Sequence, residues 1–267
     1  MKKYLSVYKI SFIQEFAYKA NFIMWRIRNV MQMFLVYFMW ATIYSNGSVN
    51  YFGYTESKML TYVFLVLIVR AFVLSSRAVD VSGEISRGEL SNYLLKPISF
   101  FKYYFTKDLS SKSLNLIFAF FEIIVLYLLL KPPIYLQSDA FILVGFLVAV
   151  GLAMVMYFIL TMLTSFVPFW IPEAAWGVNF LFTAIFVEFF SGSVFPLDIL
   201  PAAFYTGVSY TPFPYLVYFP IQIYLGQLSP ALMLKGFTVM MVWIGFLVLL
   251  MNSIWIKGLR VFQVHGK

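Results

Sequence analysis

The chain has no cysteine, which excludes disulfide bridges and thiolate metal sites outright. Its one histidine, His265, lies in a polar tail, so neither a His-based catalytic dyad nor a zinc site can be assembled within the apolar body of the chain. The only Gly-Lys pair is Gly266-Lys267, and a P-loop needs glycines and a lysine at G-x-x-x-x-G-K-[ST] spacing to cradle phosphates. The chain is therefore not expected to be an enzyme. Ser191-Gly192-Ser193 has the look of a nucleophile elbow, but with no base to serve it the triplet is read as a turn. Charge is scarce as well, at 11% of residues against ~25% in a soluble domain.

What fills the sequence instead is apolar surface. Hydrophobic residues make up 62% and aromatic residues 21%, more than a water-soluble fold of 267 residues could hide. Lipid-facing helices with aromatic belts account for both figures. The formal net charge of +8 raises nucleic acid as a partner, but the lysines and arginines sit between apolar runs, where they set orientation and meet anionic lipid. Nucleic acid is therefore not expected as a partner. The start, MKKYLSVYKISFIQEF, mixes Lys9, Gln14, Glu15 and Lys19 into its apolar residues and lacks a small-residue cleavage site. It is read as a retained helix over 3–24 lying in the membrane interface, with Leu5, Tyr8, Phe12, Phe16 and Ile23 on one side and Lys3, Ser6, Gln14 and Asn21 on the other.

Six apolar runs are long enough to be spans: about 29–44, 59–76, 109–130, 140–166, 174–195 and 232–256. The fold class expected is an all-α membrane protein of one permease-like domain, 1–267. With the start of the chain inside, all but four of the 19 lysines and arginines fall on the cytoplasmic side; Lys58, Lys131 and Lys235 lie outside and Arg70 within the second span. Both termini are accordingly expected in the cytoplasm. The outer stretch from Ser191 to Pro230 contains six prolines yet stays apolar, which predicts short helices dipping into the outer leaflet before the last span.

The inner connection after the second span contains Gly83 and Gly88 for turns, Glu89 for a helix start and Pro97 as a stop, predicting one or two short helices across the cytoplasmic face. Chemistry alone leaves it either a lipid-contacting connector or a partner-docking element. Three ionisable residues lie inside spans. Glu122 and Glu188 share a depth, ~20 Å above the inner ends of their runs, while Arg70 at ~9 Å is shallow enough to snorkel. The carboxylates either line a path or bind a cationic substrate group, or else sit protonated or hydrogen-bonded between packed helices.

EISRGELSNYLLKPIS, residues 84–99, resembles the cytoplasmic segment of type-2 ABC transporter permeases, in particular a bacterial subfamily whose members often pair with a second, related permease. SGSVFPLDILP, residues 191–201, with the aromatic stretch 212–226, resembles the same family's outer region. The resemblance implies an exporter permease in a bacterial or archaeal cytoplasmic membrane, working as a dimer with itself or a related permease. It places ATP and Mg on separate ABC ATPase subunits and no cofactor on this chain. It further implies that 84–95 forms a coupling helix in a groove of the ATPase, braced by the N-terminal helix. There Glu84, Arg87 and Glu89 would offer ionic contacts, Gly88 a turn, and Leu90, Tyr93 and Leu94 an apolar anchor. For Glu122 and Glu188 the packed reading is favoured, because this family's path is usually apolar. The rival, a self-contained secondary transporter or channel, would show repeats, broken helices or a filter, and none is found.

Overall fold

The computed structural model describes residues 2–17, 19–45, 50–95 and 97–265, without the side chains of residues 16, 17, 19–21, 94 and 263–265. Lys96 and Lys267, and the side chains of Phe16, Lys19, Asn21, Leu94 and His265, named from the sequence, thus lie outside the described residues. Among the described residues the chain is helical throughout, with no strand beyond a single bridge between Tyr51 and Tyr54.

Helix α1 (Lys2–Ala17) lies along the start of α6 (Phe100–Leu130), where Ser110 Oγ donates to the Tyr8 carbonyl at 3.1 Å. Its packed side buries Ser11 and Glu15, while Leu5, Ile10 and Ile13 face outward. Helix α2 (Lys19–Ser45) begins ten residues ahead of the apolar run read from the sequence. Helix α3 (Glu56–Val73) is capped by Thr55, whose Oγ1 accepts the Lys58 amide. It is buried along nearly its whole length, packed against α2, α6 and α7 (Ala140–Thr164), because it is apolar on every side. After a break at 74–76, a short turn (Arg77–Val79) leads into α4 (Asp80–Ser86), bent 44° from α3, and then α5 (Ser91–Leu94).

Helix α6 starts nine residues before its apolar run and stops at Lys131, whose left-handed φ of 44° precedes two prolines that cannot continue a helix. Asp139 caps α7 by accepting the Phe141 amide at 2.8 Å. The bend after α7 is fastened by Asn179 Oδ1, which accepts the hydroxyls of Thr164 and Ser165. The next span runs from Pro172 to Phe190 through α8 (Ala175–Leu181), a π-wound stretch (Phe182–Val187) and α9 (Glu188–Phe190).

The proline-rich segment 191–230 folds into short helices, α10 (Ala202–Ser209) and α11 (Tyr218–Tyr224), and packs against the other helices. Tyr62 donates to the Gly192 carbonyl at 2.6 Å, and Tyr54 donates to Asp198 Oδ2 at 2.7 Å while accepting from Gln222. Buried backbone that leaves helical geometry at Gly192 is satisfied here by the Tyr62 hydroxyl. Helix α12 (Pro230–His265) closes against α7, and two of its glycines make room for rings: a Cβ on Gly236 would stand 2.1 Å from Phe219 and one on Gly258 2.3 Å from Phe169.

Among the described residues four helical stretches are long and apolar enough to cross a membrane: Phe100–Leu130, Ala140–Phe169, Pro172–Phe190 and Pro230–Phe262. A fifth is added if α3 and the bent piece after it count as one. Helix α2 is not among the four; Arg26, Arg28, Asn29 and Gln32 interrupt its inner half.

Candidate functional site

One end of the helix bundle is built around the break after α3. A helix end leaves carbonyls without partners, and here Lys112 of α6 reaches them, its ammonium donating to the carbonyls of Val73, at 3.0 Å, and Ser75. Asp108, one turn earlier on α6, accepts the Arg77 amide at 2.7 Å and stands 3.2 Å from the Lys112 ammonium. Both side chains are wholly buried. Arg77 is in turn gripped through its guanidinium by Glu15 of α1, and Lys107 meets Asp80 at 3.3 Å. Three elements that are far apart in sequence are thus pinned to one joint.

Gly88 ends α4 with a φ of 73°. The Glu89 amide returns to the Glu84 carbonyl at 2.8 Å and the Gly88 amide to the Ile85 carbonyl at 3.1 Å, a Schellman closure that glycine enters without steric cost. The segment 84–95 is therefore two short helices about a glycine turn. Two residues expected to face outward within it point inward. Glu84 accepts the hydroxyls of Tyr93, at 3.1 Å, and of wholly buried Tyr104, and Leu90 is itself wholly buried. The left-handed turn lets Leu90 join the hydrophobic core, where burying an aliphatic side chain is worth more than exposing it. Arg87 and Glu89 remain outside, paired at 2.9 Å and 62% and 46% exposed, and the Arg87 hydrogen bond holds the Glu89 carboxyl below its usual range. Tyr93 is half-buried between the rings of Tyr103 and Tyr104. Ser86 Oγ donates to the Pro172 carbonyl at 2.9 Å, tying the segment to the bend after α7. Beneath lies an aromatic cluster in which Trp255 of α12 stacks on Phe100 at 4.4 Å and touches Phe166 and Phe169.

The carboxylates within the helices are both claimed by guanidinium groups. Arg26 embraces Glu122 through two nitrogens, one at 2.6 Å. Arg70 embraces Glu188 at 2.5 and 2.8 Å, and Gln32 donates to the same carboxylate. All four charged side chains are less than a fifth exposed. Arg70, shallow enough to snorkel, is turned toward Glu188, because a bidentate carboxylate is a better partner than a distant surface. Arg26 lies seven residues or ~10 Å along α2 from its start. The geometry is that of hydrogen bonding between packed helices.

Sequence reasoning did not find the Asp108–Lys112 joint or the arginine partners. An Asp and a Lys four residues apart near the start of an otherwise apolar helix were a signal for the first. The second pairs residues 96 and 118 positions apart, and no local pattern marks them.

A family model described as ABC-2 family transporter protein matches residues 30–266. No curated protein matches the chain.

Proposed function

The chain belongs to the ABC-2 transporter family, and from that premise we propose that it is the permease subunit of an ATP-driven exporter, moved by a separate ATPase that holds ATP and Mg. Its place as a multi-pass membrane subunit of a transporter follows from the family and from its apolar helices. The observation that carries the finer reading is the exposed Arg87–Glu89 turn, mounted on a joint that Glu84, Asp108 and Lys112 fasten to α6. A push on that turn reaches α6 through the Tyr104–Glu84 hydrogen bond and the bond from the Arg77 amide to Asp108.

Six spans complete the reading. Helix α2 crosses once Arg26 and Glu122 neutralise each other, α3 crosses alone, and α4 and α5 lie on the cytoplasmic face with both termini. Two such permeases, identical or related, would enclose the path. The paired state of Glu122 and Glu188 supports an architectural role for them over substrate contact. Conformational work enters through differential binding of the ATPase to two permease states, and not through chemistry on this chain.

The test is Arg87→Glu combined with Glu89→Arg. Both residues are exposed, so the fold is kept while the charge pattern presented to the partner is inverted. The expected result is a chain that reaches the membrane and loses its ATPase on purification; retention of the ATPase at unchanged stoichiometry with normal transport would remove the coupling role. Transport by the chain alone in vesicles would favour a self-contained carrier instead.

A further inference from the structure

We propose that the groove between α1, the first turns of α6 and the inner half of α7 is a binding site for one anionic phospholipid of the cytoplasmic leaflet. The groove is open along its length and offers about 450 Å³. Phe101, Phe105, Val155, Phe158 and Ile159 make its walls and floor, with the Phe105 and Phe158 rings in edge contact at 5.3 Å. Tyr4 and Lys102 complete it near the start of α6, where the Tyr4 hydroxyl accepts the Ser99 amide at 3.4 Å. Val155 lies nine residues, or ~14 Å, above the inner end of α7. The groove thus runs from headgroup level into the hydrocarbon, the path of one acyl chain.

Charge names the head. Around the neighbouring joint each cation is taken: Arg77 by Glu15, Lys107 by Asp80 and Lys112 by Asp108. Among the described residues the exposed Lys102 ammonium has no hydrogen bond or ion pair, and no acid lines the groove. A single unpaired cation at the mouth of an apolar slot between helices, on the side where positive charge collects, suits a phosphodiester with a net negative head. A wholly apolar occupant would leave the ammonium without a partner, and a zwitterionic head would bring its own cation beside it.

The full-length chain, purified in detergent and freed of lipid, is titrated with phosphatidylglycerol or phosphatidylcholine, and bound lipid is counted by native mass spectrometry. The expected result is one tight phosphatidylglycerol. Lys102→Glu weakens it about fivefold and leaves phosphatidylcholine unchanged, Lys102→Arg preserves it, and Val155→Trp weakens both lipids by filling the slot. The proposal is overturned if wild type binds the two lipids equally, or if Lys102→Glu binds phosphatidylglycerol as wild type does. Because Lys102 is exposed, its variants decide the matter even where Val155→Trp does not fold.

Discussion

Asp108 and Lys112 stand 3.2 Å apart on one face of α6 and serve opposite sides of a single break: the lysine takes the carbonyls that α3 leaves behind, and the aspartate takes the amide at which the chain resumes. Substituting one partner strands the other. Lys112→Met should cost about 3–5 kcal/mol, since it leaves a buried carboxylate uncompensated. Adding Asp108→Asn, which keeps an acceptor for the Arg77 amide while discarding the charge, should recover part of that loss. Thermal unfolding of the two variants in detergent reads the order, and a double variant no more stable than the single would show the two residues to be independent.

The Arg70–Glu188 pair makes a similar prediction at membrane depth. Glu188→Ala should lower stability by about 3–5 kcal/mol, whereas Arg70→Gln with Glu188→Gln should lose much less, because two neutral amides can still bond each other and Gln32. Were substrate contact the main role of Glu188, the double variant would fold well and fail in transport. The architectural role predicts that transport survives.

Leu90→Glu should destabilise the chain itself, before any partner is added. The side chain is wholly buried beside a Schellman turn, so the variant must desolvate a carboxylate without a cation to meet it, at a cost of several kcal/mol. Poor recovery from the membrane is the expected outcome. Normal recovery with loss of the ATPase alone would put Leu90 at the partner's surface.

Asp198 should make stability fall as pH rises. Burial is the main cause pushing its carboxyl above the ordinary 3.8, only partly offset by hydrogen bonds from Tyr54 and Tyr218, and no cation is among the causes. A raised value in the folded chain means that the folded state holds its proton more tightly. The stabilisation is complete below the unfolded value and lost as pH climbs through the folded one. Asp198→Asn should flatten the melting temperature between pH 4 and 8; an unchanged slope would assign it to other groups.

How far the sequence could be read divides along a physical line. Run lengths, Gly88, Pro97 and the prolines of 191–230 depend on local backbone preference, and the helical class, the turn at Gly88 and the broken winding of 191–230 follow from them. The face that each residue turns depends on helix rotation and depth, which are set by partners elsewhere in the chain. Leu90 has the composition of a docking anchor and the location of a core residue. Arg26 reads as an interface anchor until Glu122, 96 positions away, is brought alongside. Glu15, counted as a polar interruption of an amphipathic helix, is the residue that ties that helix to the joint.

The π-wound stretch from Phe182 to Val187 ends immediately before Glu188. A π turn carries one residue more than an α turn, so everything beyond it is set back by one position, or about 100° of rotation. Winding the same residues as regular α-helix would carry Glu188 around the axis and away from both Arg70 and Gln32, whereas deleting one residue between 182 and 187 would restore regular winding and leave Glu188 facing them. In that stretch the widened turn aims the carboxylate. A single deletion there should therefore be tolerated better than a single insertion.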